Sequence, residues 1–342
     1  MPGADSNAVL ARTIAFVDDE ARGGYREARE GAALVSLADR RVLAAAGPDR
    51  QKFLQAMLSN EVAALTAGQG NAAALMDVKG HVQALLRVLV LKDAVHLEMA
   101  TDRLASVEAT LNHYKVAAPV RFAAQAVAVL ALFGPRAQAV LASAGAEAPA
   151  DKLESHAEGS LAGRPVRVIR GGDLPSPGFV LHVAEADATA VRDALLAAGA
   201  TALSPEALDA LRVEAGRPWY GRDVTAANLL HETGLVAECC SFAKGCYLGQ
   251  EVVARLDARG GHVNKRLCGL RLSAPASEGA VLEVEGKEVG RVTTAAVSPR
   301  LGPIALAYVH RDHAEAGAVV GMGGVAASVQ DLPFPEAPPP TP

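Results

Sequence analysis

The sequence predicts an α+β body followed by a small β-barrel, and three observations carry that prediction. Residues 72–120 read as strands and a helix in an order that does not alternate, which fits an α+β lobe rather than a doubly wound sheet. Beyond residue 263, six short apolar runs separated by turn residues show no helical period between them, as in a small barrel. No Gly-x-Gly-x-x-Gly joins a strand to a helix, which argues against a dinucleotide site. Gly321-Met322-Gly323-Gly324 falls in the β-rich end and reads as a turn.

Composition bounds the rest. A chain of 342 residues exceeds one ordinary core, so two or three domains are expected. Half the residues are hydrophobic and 4% are aromatic, so the cores are built from Ala, Val and Leu. A net charge of −5 gives no general attraction to nucleic acid or anionic membrane, and no stable DNA binding is expected. Four cysteines make no disulfide framework and suit a reducing compartment. The longest apolar run, Phe122 to Phe133, is too short to cross a bilayer, and Met1 to Asn7 does not read as a targeting signal. The expectation is a cytoplasmic protein.

Taken in order, residues 12–31 read as a leading helix and loop. Ala33 to Ala46 alternates like a strand pair, with Asp39-Arg40-Arg41 as a hairpin turn. Gly47-Pro48-Asp49 starts a helix, with Asp49 as cap and Phe53, Leu54, Met57 and Leu58 on one face. Strands are predicted at 72–77, 80–91 and 94–100, a helix at 102–111 and a strand near Val120. A second lobe follows: a strand at 127–133, a helix after Gly134-Pro135, a loop over 144–158, strands at 166–169 and 179–183, and a helix over 187–198. Gly171 to Gly178 is a Gly- and Pro-rich loop. Ser204-Pro205-Glu206 supplies cap, first-turn proline and first-turn acid, and Gly216 stops that helix. The tail from Leu332 is proline-rich.

The stretch richest in chemistry is Lys244-Gly245-Cys246-Tyr247-Leu248-Gly249-Gln250-Glu251, which leads into a helix-compatible run. A cysteine beside a cation and just before a helix N-terminus is placed to ionise and react. The alternative is a small buried hydrophobe in a loop. Glu214 is either one half of a surface ion pair with Arg212 or Arg217, or an acceptor for a ligand edge carrying two N–H donors. Trp219 and Tyr220 either stack on a flat ring or pack the rim of a site. Cys239, Cys240 and Cys268 read as structural, and the nine histidines form no zinc pattern. Arg255, Arg259, His262, Lys265 and Arg266 make a local basic cluster.

The octapeptide resembles the signature of the YgfZ-type folate-binding proteins, relatives of the glycine-cleavage T protein (aminomethyltransferase), at all eight positions. The likeness extends through Gly47-Pro48-Asp49 with Phe53-Leu54, Leu58 to Val62, Arg212-Val213-Glu214-Ala215-Gly216, Val289 to Thr294 and Ser298-Pro299. It implies a two-lobed, aminomethyltransferase-like folate-binding body around a central cavity over residues 1–262, with a middle lobe near 49–124. A β-barrel over 263–334 and a tail over 335–342 would complete the chain. It further implies tetrahydrofolate or a one-carbon derivative as cofactor, with Glu214 on the pterin and Tyr247, Gln250 and Trp219 beside the ligand. Cys246 would be the functional thiol and Lys244 the residue that tunes it. The implied partners are folate and iron–sulfur proteins or their assembly factors, with effects on tRNA modification. The chain departs from the T protein after Gly80. An acidic pair including the catalytic aspartate is expected there, but His81-Val82-Gln83-Ala84-Leu85 has no carboxylate.

Overall fold

A computed structural model describes residues 19–335. Parts of the predicted leading segment and of the 335–342 tail lie outside the described residues. The chain divides into two compact units. One holds residues 26–203 and 224–262; the other holds, of the described residues, 19–25, 204–223 and 263–335.

The first described element is helix α1 (Asp19–Glu30). The larger unit then contains two sheets. One is built from β1 (Ala33–Ser36), β7 (Val127–Phe133), β8 (His156–Leu161), β9 (Arg164–Arg170), β10 (Gly178–Ala184) and β11 (Thr201–Ala202), in the order β11-β1-β7-β10-β9-β8. The other uses β2 (Arg40–Ala46), β3 (Gln69–Met76), β4 (Val82–Val90), β5 (Ala94–Ala100) and β6 (Arg121–Gln125), in the order β3-β4-β5-β2-β6. Helices α2 (Arg50–Met57) and α3 (Leu104–Tyr114) close the core of the second sheet, where Leu54, Met57, Val107 and Leu111 are buried. Helices α4 (Ala137–Ser143) and α5 (Ala188–Ala197) do the same for the first through Leu141, Val191 and Leu195.

Three sequence expectations need correction here. The turn at Asp39 exists, with the Arg40 N–H on the Leu37 carbonyl, but β1 and β2 are not a hairpin. The Leu37 N–H bonds to the Val129 carbonyl in the first sheet, and the Asp39 carbonyl accepts from Thr101 beside the second, so the chain changes sheets at this corner. Short alternating runs state which residues are buried, not which strand they pair with. Asp49 occupies the cap position of α2, yet its side chain accepts no capping bond. The stretch read as a loop ends in β8, an edge strand paired only with β9; His-Ala-Glu-Gly-Ser-Leu carries too little apolar alternation to reveal it.

In the other unit, α6 (Pro205–Glu214) starts as predicted: the Ser204 side chain accepts the Ala207 N–H at 3.1 Å and Pro205 fills the first turn. Helices α7 (Val236–Cys239) and α8 (Gln250–Ala258) return to the larger unit. The six late apolar runs are all strands: β12 (Lys265–Leu272), β13 (Val281–Val284), β14 (Lys287–Ser298), β15 (Gly302–His310), β16 (Val319–Met322) and β17 (Val325–Gln330). They close as β12-β15-β14-β13-β16-β17, a barrel without a free edge. Arg212 ties α6 to it: fully buried, it donates to Asp223 at 2.5 Å and Thr294 at 2.9 Å.

The larger unit also buries a charged knot that the sequence pattern does not announce. Arg87 on β4 donates to Glu98 at 2.6 Å and Glu154 at 2.7 Å, and also to Asp173. His182 on β10 meets Glu98 at 2.7 Å. Burial pushes the Glu98 carboxyl up, but Arg87 and His182 outweigh it and hold it below the ordinary carboxylate range. Burial with nearby cations holds His96 and His156 at about 4. These rings are folded in neutral. Their contribution is whole above the unfolded value of about 6.5 and is lost as pH falls from there through 4. His156→Gln should therefore remove about 2–3 kcal/mol of the stability lost between pH 7 and pH 4.5, read from urea unfolding at both pH values. An unchanged pH difference would show that His156 is not the titrating group.

Candidate functional site: the anchored cysteine loop and the buried glutamate

The octapeptide forms the loop between α7 and α8, and its shape follows from main-chain stitching. Ser59 is fully buried; its hydroxyl donates to the Cys239 carbonyl and accepts the Ala74 N–H at 2.8 Å. Ser241 N–H bonds to the Ser59 carbonyl and Leu248 N–H to the Ala56 carbonyl, both at 3.1 Å. Asn60 donates to the Ala72 carbonyl at 2.8 Å and the Glu238 carbonyl at 3.0 Å. The start of the loop and its far end are thereby fixed on the last turn of α2 and the strand after it.

Lys244 completes the attachment. Its ammonium donates to the carbonyls of Gln55 at 2.7 Å, Leu58 at 2.6 Å and Asn60 at 2.7 Å. An ammonium has three N–H bonds, and all three are used. A cation at the carbonyl end of a helix is also favoured by the helix dipole. Burial draws this amine down to about 8, with Glu61 opposing, so it remains charged at neutral pH. With its three donors on these carbonyls, Lys244 anchors the loop that carries Cys246.

Two glycines allow the next contact. Gly249 has φ +81°, and a Cβ there would lie 2.6 Å from the Asp77 carbonyl oxygen. Gly80 has φ +77°, and its Cβ would meet Val252 at 2.8 Å. The Asp77–Gly80 turn thus seats directly on the start of α8, which only glycine permits at either position. Asp77 holds this turn by accepting the N–H groups of Lys79 at 2.8 Å and His81 at 2.9 Å.

Within this frame Cys246 is exposed, whereas Cys239, Cys240 and Cys268 are buried. Burial raises the Cys240 thiol, against the pull of its Tyr247 hydrogen bond and Lys244, and pushes Cys268 up to about 11. Tyr247 is buried with its hydroxyl 3.2 Å from the Cys240 sulfur and its ring 5.1 Å from the Lys244 ammonium, so it packs the underside of the loop. Gln250 is half-buried at the first position of α8, its N–H on the Tyr247 carbonyl. Where the T-protein acid is expected, Ala84 is fully buried on β4 and Gln83 is the extra residue of a β-bulge opposite Leu75 and Met76.

Glu214, the last residue of α6, belongs to the other unit and is 4% exposed. Its Oε1 accepts from the hydroxyls of Tyr25, at 2.6 Å, and Ser298, and its Oε2 from Arg300 at 3.3 Å. Of the partners anticipated for a surface pair, Arg212 is spent on Asp209, Asp223 and Thr294. The Phe334 N–H bonds to the Glu214 carbonyl at 2.8 Å, so the end of the described chain runs over this residue. Trp219 is half-buried, its main-chain N–H on Asp223 at 2.9 Å and its ring 5.0 Å from the Arg212 guanidinium carbon. Tyr25, Ser298 and Arg300 were not foreseen. Ser298-Pro299 was visible as a motif, but nothing in the sequence pairs it with Glu214.

Residues 10–243 match the GCVT N-terminal domain, and residues 265–335 the glycine cleavage T-protein C-terminal barrel domain. The chain belongs to the glycine-cleavage T-protein family. A putative chloroplastic transferase of Arabidopsis thaliana is 28% identical over 323 residues, covering 93% of this chain and 74% of the relative. An aminomethyltransferase of Saccharopolyspora erythraea is 31% identical over 328 residues, covering 91% and 88%. The crystal structure of glycine cleavage system aminomethyltransferase T from Bartonella henselae superposes with a TM-score of 0.81 at 26% identity, covering 92% of this chain and 89% of that one. The T-protein architecture, a two-lobed α+β body with a closed six-stranded barrel, is thus that of this chain. Among the described residues no helix is long and apolar enough to cross a membrane, and no three His, Cys, Asp or Glu side chains group as metal ligands.

Replacing Lys244 by Met would leave three carbonyls without their shared donor. The expected loss is about 2–3 kcal/mol in unfolding free energy, since each buried acceptor left unpaired is costly. Hydrogen exchange should accelerate at the amides of 241 and 248 in particular. Unchanged protection there would mean that the loop is held without Lys244.

Proposed function

We propose that this T-protein relative is of the YgfZ type: a tetrahydrofolate-binding accessory factor in the assembly or repair of iron–sulfur clusters, which supports tRNA modification through cluster-dependent enzymes. The observation that carries the reading is the exposed Cys246 on a loop anchored by Lys244, in a chain that has no carboxylate over 81–85. Aminomethyl transfer needs a negative charge beside a developing cationic amine. The fully buried Ala84 and its neighbour Gln83 cannot supply one.

In this reading the buried Glu214 carboxylate accepts the paired N–H donors of a pterin, and Trp219 lies beside the bound ring. Folate supplies a carrier for a one-carbon unit. The chain itself holds the Cys246 thiol outward on a fixed loop, where it meets an iron–sulfur protein or assembly factor. One cysteine does not make the four-ligand shell of a stable cluster, so the role is transient contact rather than storage. The four unpaired cysteines suit a reducing compartment such as the cytoplasm.

The second reading is a folate-dependent aminomethyltransferase or other one-carbon transferase, which the names of the Saccharopolyspora erythraea and Bartonella henselae relatives favour. The two separate in cells. In a strain lacking the gene, a labile iron–sulfur dehydratase should lose most of its activity under oxidative stress. Wild type should restore it and Cys246→Ala should not. Rescue by both variants would remove the thiol from the account, and an intact dehydratase in the deletion strain would favour the transferase.

A further inference from the structure

We propose that Arg300 is a specificity residue that reads the 4-oxo group of the pterin. The inference rests on Glu214 being the pterin acceptor and names what stands beside it. A 2-amino-4-oxo pterin presents three groups along one edge: an amine donor, a ring N–H donor and a carbonyl acceptor. A carboxylate matches the two donors. The carbonyl next to them then needs a donor of its own within about 3 Å.

Arg300 is that donor by position and by its incomplete bonding. Its Nη2 lies 3.3 Å from Glu214 Oε2, longer than the roughly 2.7–2.9 Å of a settled guanidinium–carboxylate bond. Its Nη1 reaches the Pro335 carbonyl only at 3.4 Å. Its Nε is shielded from solvent and has no acceptor. A buried cationic donor without a partner is rare and calls for one. The residue is nonetheless held in place: the Ser298 hydroxyl oxygen accepts the Arg300 N–H at 3.0 Å and the Leu301 N–H at 2.9 Å, which fixes the turn that carries it. Only 18% of the Arg300 side chain is exposed, so it faces the glutamate rather than bulk water.

Binding requires one exchange. Glu214 Oε1 already accepts from Tyr25 and Ser298. Ser298 is locked by its two backbone contacts, so the 2-amino group takes the place of the Tyr25 hydroxyl on Oε1 and the ring N–H meets Oε2, which sets the neighbouring carbonyl beside Arg300. The arrangement discriminates by charge and by hydrogen-bond sense. A 2,4-diamino pteridine puts an N–H donor where the carbonyl would be and turns it toward a guanidinium, which has no lone pair to offer.

Folic acid and aminopterin serve as the probe pair, with 5-formyltetrahydrofolate as the reduced probe; aminopterin changes the carbonyl and also the ring N–H that faces Glu214, so the share of Arg300 is read from its variant. Titration calorimetry on the full chain should show folic acid bound at least about tenfold more tightly than aminopterin, the scale of one charge-assisted bond. Arg300→Met should bind folic acid about tenfold more weakly than wild type does, while still binding aminopterin at least as well, which shows that the variant is folded. A preference that is undiminished in Arg300→Met, or equal binding of both probes to wild type, overturns the assignment and leaves folate binding standing. No binding of any of the three probes to wild type overturns the folate reading itself, and this inference with it.

Discussion

One ammonium in a ring of carbonyls holds the cysteine loop of the larger unit. Lys244 satisfies Gln55, Leu58 and Asn60 at a helix end whose carbonyls have no partner within the helix. The same bond fixes the loop that carries Cys246. A thiol can be exposed and still be held in one place only when the backbone on either side is fixed by something else. Here Lys244, Ser59 and the close approach of Gly249 to the Asp77–Gly80 turn do that work. The rest of the octapeptide follows from the same constraint: Tyr247 packs inward under the ammonium, and Gln250 opens the next helix.

The second constraint is the charged knot around Arg87. A buried guanidinium with two buried carboxylates and Asp173 is weak evidence for stability, because desolvation offsets much of the attraction. It is better evidence for registry. Arg87 and Glu98 come from one sheet, His182 from the other, and Glu154 and Asp173 from the connections of the first sheet. A slipped register would leave a buried charge unpaired. The T-protein family thus presents in this chain a body built from Ala, Val and Leu, whose few polar contacts set which surfaces meet.

Much of the fold was legible because its signals are local. Ser204-Pro205-Glu206 announces a helix start, and the cap bond to Ala207 is present. The six late strands show as apolar runs between turns, and all six exist. What was not legible is long-range. The Asp39 turn has a hairpin's composition, yet its two strands enter different sheets. The edge strand at His156 carries no apolar period. The site divides in the same way. Cys246 and Glu214 stand out in their own segments, but the partners that give them their setting come from 189 residues away for Lys244 with Gln55 and 86 for Glu214 with Arg300. No local pattern encodes such pairings, and the carbonyls that Lys244 holds are not visible from its own segment for that reason.

The central claim is that this loop exists to present one thiol. Native alkylation with iodoacetamide at neutral pH, followed by peptide mass spectrometry of all four cysteines, tests it most directly. The account predicts rapid modification of Cys246, with Cys239, Cys240 and Cys268 protected until the protein unfolds. Modification of the four at similar rates, or of Cys246 last, would contradict it.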